Sequence, residues 1–518
     1  MAIKIKIGNQ ETEVWPPDDK ITKTRLENYK RARLLFKGQH QDVFERIQLW
    51  LEREQDKVIT YVVCNFAGLI SKVAADMLFG EAPYFVAGDE GSKEQEALNE
   101  IVNNNNLQTL SYEMSLGASW RGETIYKIRF GQFSDWRDDK KGYAIIESAD
   151  PSTFFPELDG DNVRGLKGGV FGWTKELDRK KYLRLERHRP GLIINELYLM
   201  DGDAIIEKVD LKTFPEYVGL EEQQETGYPG LLFEYVPNLR LDDEFWGLSD
   251  YVDMESVFDE LNNRISRISR VLDKHESPKL ILPPGLMQYD QEKEAWFVKK
   301  EDLEAIEIDP QELGGGAAAN NLPRYLTWDA QLEAAFKQID RILEVAMMMS
   351  ETSPDVFGLN KGGLAESGRA LKFRLIRTLA KINRKKLYFD QALRNVFYAA
   401  QYLEAVHAGG PDPETIDYRI DWRDGLPEDE LEQAQVEQIR TGSKATSSVE
   451  SSVRRLDRLK GKDLENELAR IQEDELAGAP PAPEQPVGAV GAGAAGQGNL
   501  NLGFSDGGES GDQGAGVQ

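Results

Sequence analysis

One cysteine, Cys64, stands in a chain of 518 residues. That excludes an internal disulfide framework and any zinc-ribbon spacing, and it fits a reducing cytoplasm. Cys64 sits in an apolar helical pattern, which reads as a buried, inert thiol. Histidine is also scarce. His40, His188, His275 and His407 are scattered singly, and none has a partner at metal-ligand spacing. There is no run of 18 apolar residues, so no membrane-spanning helix is expected. The opening "MAIKIKIGNQ" alternates and lacks an apolar core, so no signal peptide is expected. No G-x-S-x-G occurs. Gly362, Gly363 and Gly368 precede a helix but lack the Gly-Lys-Ser/Thr of a P-loop. "DGDN" at 159–162 lacks the later ligands of an EF-hand loop. The expectation is no catalytic residue, no cofactor and no metal. Positive charge is short as well: 63 Lys and Arg against 90 Asp and Glu, a net charge of −27. A backbone of phosphates repels such a chain, which argues against general nucleic-acid binding.

What is present is globular: 40% hydrophobic, 30% charged, and long enough for two to four domains. Residues 20–80 carry apolar residues at three and four spacing, so helices are expected there, the second ended by Gly80 and Pro83. Another helix is expected over Leu107 to Trp120. From about 123 to 235 the chain turns to short β-rich segments with Asp-Gly turns at 159–160 and 201–202. Then Tyr251, Met254, Phe258, Leu261, Ile265, Ile268 and Leu272 step by three and four. This predicts one narrow stripe on a helix from Trp246 to Glu276, about 45 Å long at 1.5 Å per residue. Pro278 stops it. A partly β insert and "GGGAAANN" follow, then a second long helix from near Trp328 with Leu332, Ala335, Ile339, Ile342, Ala346 and Met349 on one side. Two antiparallel helices of similar length place the insert at the tip of a stalk. "ETIDYRIDW" reads as a strand, residues 427–477 as charged helices, and the Pro-, Gly- and Ala-rich tail from 479 as disordered.

One stretch runs against the overall charge. Residues 357–386, "FGLNKGGLAESGRALKFRLIRTLAKINRKK", hold nine Lys and Arg and one acid, Glu366. Arg374, Arg377, Lys381 and Arg384 share one side of a helix, and Leu371, Leu375, Leu379 and Ile382 another, so the helix is amphipathic.

Four stretches resemble the portal proteins of tailed double-stranded-DNA bacteriophages, most of all those of long-tailed phages of Gram-positive hosts. "NYKRARLLFKGQH" is similar to that family's N-terminal helix. "NFAGLISKVAADMLFGEAPYF" is similar to its "N…I…D…Y..G.P" element. "EFWGLSDYVDMESVFDELNNRISRISRVLDKHESPKLIL" resembles its first stem helix entering the clip. "GLNKGGLAESGRALKFRLIRTLAKINRKK" resembles its tunnel loop and the long helix behind it. The likeness covers roughly residues 20–425, and the last two elements are specific in combination.

The resemblance implies an α+β, mostly helical portal fold. Residues 1–245 would be a mixed wing, 246–276 the first stem helix, 277–326 a small α/β clip and 327–351 the second stem helix. The tunnel loop would be 352–367, a long wing helix and strand 368–426, a helical crown 427–478 and a disordered tail 479–518. It implies a closed ring, usually of twelve copies, at one vertex of the virion capsid, assembled in the host cytoplasm. Double-stranded DNA would pass through it. Its partners would be the terminase large subunit, the head–tail adaptor, and capsid and scaffold proteins, with no membrane and no enzymatic activity. On this frame Val356, Phe357, Leu359, Asn360 and Lys361 belong to the tunnel loop facing DNA. Glu333, Asp340 and Glu344 either face the channel, where an acidic wall lets DNA slide, or form an ordinary solvated face or partner Arg264, Arg267 and Arg270. The basic side with Arg374, Arg377, Lys381 and Arg384 either meets DNA phosphates or pairs with acids of an adjacent subunit, and the acid-rich composition favours pairing. The stripe from Tyr251 to Leu272 would pack the stem, partly on neighbouring copies. A non-phage helical scaffold or adaptor would share the stalk but leave the loop and basic helix unexplained. A metal-dependent nuclease would need a compact acid motif.

Overall fold

The computed structural model describes residues 2–53, 61–132, 142–276, 332–358, 368–423, 430–442, 445–456 and 461–478, with four short strands between 279 and 326. The chain divides into two units, 1–448 and 449–518.

The first unit opens with a hairpin of β1 (Ile5–Ile7) and β2 (Gln10–Thr12). Helix α1 (Lys20–Phe36) starts where the Asp19 carboxylate accepts the Thr22 N–H, which satisfies one of the donors a helix start leaves open. α2 (Glu45–Arg53) is followed by α3 (Phe66–Phe79), capped by Asn65 in the same way and apolar almost all round, hence central. Then come β3 (Tyr84–Val86), α4 (Lys93–Asn104) and α5 (Leu107–Arg121), which ends at Gly122 with φ +107.

β4 (Glu123–Gly131) and β5 (Tyr143–Ala149) pair antiparallel. β6 (Phe154–Asp159), β7 (Asn162–Leu177), β8 (Lys180–Arg189), β9 (Leu192–Asp201) and β10 (Ala204–Val209) form a meander in spatial order, with β11 (Gln223–Glu225) added beside β9. The Asp-Gly pairs sit at its hairpins. β12 (Phe233–Pro237) returns to β4 and closes a three-stranded sheet, β12-β4-β5.

α6 (Glu255–Glu276) begins nine residues later than the sequence suggested. Residues 246–249 are irregular and 250–254 form turns, where Asp253 adopts φ +63 and the Ser249 hydroxyl accepts the Tyr251 N–H. The stripe still runs through, since Tyr251 and Met254 occupy the turn that leads into the helix. Of the insert at 277–326, the described part is two small antiparallel ladders. β13 (Lys279–Ile281) pairs with β16 (Arg324–Leu326), and β14 (Gln288–Asp290) with β15 (Ala295–Phe297). α7 (Leu332–Met349) returns along α6. α8 (Gly368–Arg374) and α9 (Ile376–Ala408) are separate helices that break at Leu375, and Gly409 (φ +77) ends α9. β17 (Arg419–Asp421) pairs with β3, a partner the sequence did not indicate, and α10 (Glu430–Thr441) completes the unit. In the second unit α11 (Val449–Leu456) packs on α12 (Gly461–Gly478). The tail from 479 lies outside the described residues.

Helix takes 51% and strand 23% of the described residues, mostly in separate runs, which is the α+β class. The largest core lies where α9 crosses α3, α5 and the sheet β12-β4-β5, with Phe389, Leu393 and Phe397 fully buried. No helix among the described residues is long and apolar enough to cross a membrane.

Candidate functional site

The two long helices α6 and α7 meet the rest of the first unit at one place. Tyr251, Met254, Phe258 and Leu261 are buried there against α1, α3 and the end of α7, Ile265 is partly buried and Ile268 buried. Only Leu272, at 46% exposure, emerges from the stripe. The expectation that the stripe needs neighbouring copies to cover it is therefore corrected. The chain covers six of its seven positions itself, because α1 and α3 fold over the helix base.

Beside this apolar base lies a buried charged network. The Asp250 carboxylate accepts hydrogen bonds from Ser119 Oγ (2.5 Å) on α5, Lys385 Nζ (2.7 Å) on α9 and Asn238 Nδ2 (3.1 Å), and Lys381 Nζ stands 3.3 Å away. The side chains of Asp250, Lys381 and Lys385 are 8%, 9% and 5% exposed. Lys385 also donates to Asn238 Oδ1, and Lys381 donates to the Ser350 carbonyl just past α7 at 3.0 Å. Ser119 Oγ also stands 2.9 Å from Ser71 Oγ on α3, which meets the Tyr251 hydroxyl. Lys381 thus ties the entrance of α6 and the exit of α7 to α9 with one ammonium.

The charges shift one another. Burial alone would raise the Asp250 carboxyl, but Lys381 and Lys385 outweigh it and hold it well below the usual carboxylate range. Burial lowers Lys385 to about 8 against the pull of Asp250. At Lys385, burial together with the neighbouring Lys381 charge outweighs the pull of Asp250. The folded state then binds fewer protons than the unfolded one between pH 8 and the ordinary lysine value. Stability from this group rises with pH across that window. The expected outcome is that the thermal midpoint of Lys385→Met, relative to the native chain, falls as the pH is raised from 7.5 to 10. A difference that does not change with pH would contradict it.

The segment after α7 is held just as firmly. The Ser353 N–H donates to Thr378 Oγ1 (2.8 Å), and that hydroxyl donates to the Glu351 carbonyl. Ser353 caps a single turn at Pro354–Phe357. Val356 and Phe357, expected to reach into a channel, pack on the chain's own core, with Phe357 5.7 Å from the Phe66 ring. Residues 352–358 are therefore a fixed anchor. Apolar side chains next to two cores gain more from burial than from solvent. Gly358, at φ +65, is the last described residue before 368, and Leu359, Asn360 and Lys361 lie outside the described residues.

Three cations of the basic side meet acids of their own chain. Arg377 and Arg384 pair with Glu351, and Arg374 stands 3.5 Å from Asp355. Lys381 is buried inside the network, so it cannot serve a contact with another subunit, which corrects that part of the reading. Glu333, Asp340 and Glu344 are all exposed on α7. Two of them have basic neighbours: Lys337 is 2.7 Å from Glu333, and Arg341 is 2.7 Å from Glu344.

Sequence reasoning missed Asp250, Ser119, Asn238, Lys385 and Ser350. One signal existed: Lys385 occupies the apolar side of its helix, between Ile382 and Phe389, where a charge needs a partner. The partners lie more than 100 residues away along the chain and left no local mark. Among the described residues no group of His, Cys, Asp and Glu is arranged to hold a metal. His40 bonds the Leu35 carbonyl and Asn262, and His188 bonds Glu186. Cys64 is half-buried, and burial pushes its thiol up.

A family model described as phage portal protein, SPP1 Gp6-like, matches residues 18–479. No curated protein matches the sequence. Among solved structures, a chain from the neck of a native GTA particle computed with C12 symmetry is similar, at 12% identity and a TM-score of 0.34. The match covers 75% of this chain and 89% of that one.

Proposed function

The chain belongs to the SPP1 Gp6-like family of phage portal proteins, and from that premise we propose how its copies conduct DNA. A portal stands at the capsid vertex and serves DNA packaging; the family is structural rather than enzymatic, and its members form homo-oligomeric rings. In the proposed assembly twelve copies close around double-stranded DNA. The α6–α7 pair forms the stem, the insert at 277–326 is the tip that receives the terminase large subunit and later the head–tail adaptor, and the outer surface meets capsid and scaffold proteins. Assembly takes place in the host cytoplasm. Glu333, Asp340 and Glu344 line the channel, where like charge keeps phosphates sliding rather than bound.

The observation that carries this reading is the network at Asp250. DNA passing through a stem pushes on it, and the push has to reach the body without loosening the loop base. One lysine, Lys381, holds both stem ends to α9. Thr378 and Glu351 hold the anchor from which the loop containing Lys361 departs. Stem, loop base and long helix are thereby coupled.

The test is made in particles. Capsids assembled without this chain are expected to contain no DNA. Capsids carrying Lys361→Glu are expected to contain less DNA than native ones, at unchanged portal content and unchanged thermal midpoint. Normal filling without the chain would refute the function. Loss of portal incorporation in Lys361→Glu would show that the loop is an assembly contact instead.

A further inference from the structure

Between α1 and residues 243–256 runs an open groove of about 1170 Å³. It is larger than the roughly 300–1,000 Å³ of a small-molecule site. Its floor is built and buried. The Arg25 guanidinium lies 4.0 Å over the Trp246 ring and donates to the Pro151 carbonyl, and Glu123 takes the Gly247 N–H. Its rim is different. Ile21 is 70% and Val252 45% exposed, and the exposed acids Asp243, Glu244 and Asp253 surround them, against one lysine, Lys20. The groove is an aliphatic slot with a negative edge.

The complementary surface is on the same chain. On α9, Ile376 is 58% and Leu387 72% exposed. They stand eleven residues apart, which is three helical turns, so they project from the same side. Arg377 and Arg384 flank them and share the single acid Glu351, leaving this edge positive. A closed ring is built from a heterologous contact: each copy must present two different surfaces that fit one another.

Resting on the ring reading above, we infer that the groove of one copy seats the Ile376–Leu387 edge of the next copy. The aliphatic residues enter the slot between Ile21 and Val252, and the arginines meet the acids of the rim. Opposite charges at the edge of such a contact speed encounter and fix register, and they make the contact salt-sensitive.

A heterologous contact allows a decisive mixing experiment. One variant carries Ile21→Asp and Val252→Asp, which spoils the groove. The other carries Ile376→Asp and Leu387→Asp, which spoils the edge. All four positions are exposed, and circular dichroism with a thermal midpoint near native confirms that each variant is folded. Light scattering is expected to show native rings and each variant alone as a monomer. The mixture is expected to give a species of twice the chain mass and nothing larger, because one good groove can take one good edge and the chain of contacts stops there. Variants that still form rings overturn the proposal, and so do monomeric variants that do not pair on mixing. A native protein that stays monomeric would instead refute the ring, a result distinguishable from the other two. If either double variant unfolds, the corresponding Ile21→Ser or Ile376→Ser single variant is expected to raise the midpoint concentration for ring assembly at least tenfold. No change there also overturns it.

Discussion

Asp250→Ala is expected to lower the thermal midpoint by roughly 5–10 °C, from a loss of about 3–5 kcal/mol when one partner of a buried ion pair is removed. The reason is specific. Lys381 and Lys385 would remain buried, two ammonium groups with no carboxylate, while Ser119 and Asn238 each lose an acceptor. The loss should shrink as the pH rises towards 10, since buried lysines without a counter-charge escape their penalty by shedding protons. Adding Lys385→Met to Asp250→Ala should recover part of the midpoint. Lys381→Met acts differently: it leaves Asp250 paired with Lys385 but frees the Ser350 carbonyl, so it should loosen the exit of α7 more than it lowers the midpoint. Differential scanning calorimetry over pH 7–10 on the four proteins checks this. A midpoint for Asp250→Ala within 1 °C of native, together with no pH trend, would mean that water reaches the network and that it couples nothing.

Gly247→Val is expected to prevent folding altogether. A Cβ on Gly247 would stand 2.0 Å from the carbonyl oxygen of Gly122, and one on Gly122 would stand 2.6 Å from the Gly247 oxygen. Both neighbours are backbone, so no side chain can swing aside. Gly122 also needs its φ of +107, and its carbonyl accepts the Asn238 N–H at 2.7 Å. This crossing brings the end of α5 beside the segment that places Asp250, so a separation of even 1 Å breaks the network. A loss above about 5 kcal/mol belongs to such mechanisms. The check is soluble yield and the circular dichroism spectrum. Gly219→Val, where nothing lies within 4 Å, serves as the control and should fold normally. Soluble, native-like Gly247→Val would show that the two backbones can part without cost.

How much of this was legible in the sequence follows from what is local. The three–four stripe on α6, the Asp-Gly hairpins and the β-rich run to 235 are short-range signals, and they fixed the class and the order of elements. The start of α6 was misplaced because Trp246 to Met254 carries the stripe's spacing without its helix. Asp253 and Ser249 make a turn that keeps the same residues buried. The basic helix was legible as amphipathic, but the acids of its own chain that its cations reach were not. Glu351 lies 26 residues before Arg377, and Asp250 lies 131 before Lys381, and no periodicity connects them. Val356 and Phe357 were read as loop because glycines follow them. Ser353, as the cap of a single turn, was the overlooked sign that order continues to Gly358.

The central claim is that copies of this chain form a closed ring around a channel wide enough for a duplex. Electron microscopy of the purified protein, with mass measured on the same sample, tests it most directly. The account predicts ring-shaped particles with an open centre and a mass about twelve times the 58.5 kDa of one chain. Monomers, open filaments, or closed particles without a central hole at micromolar concentration and moderate salt would contradict it.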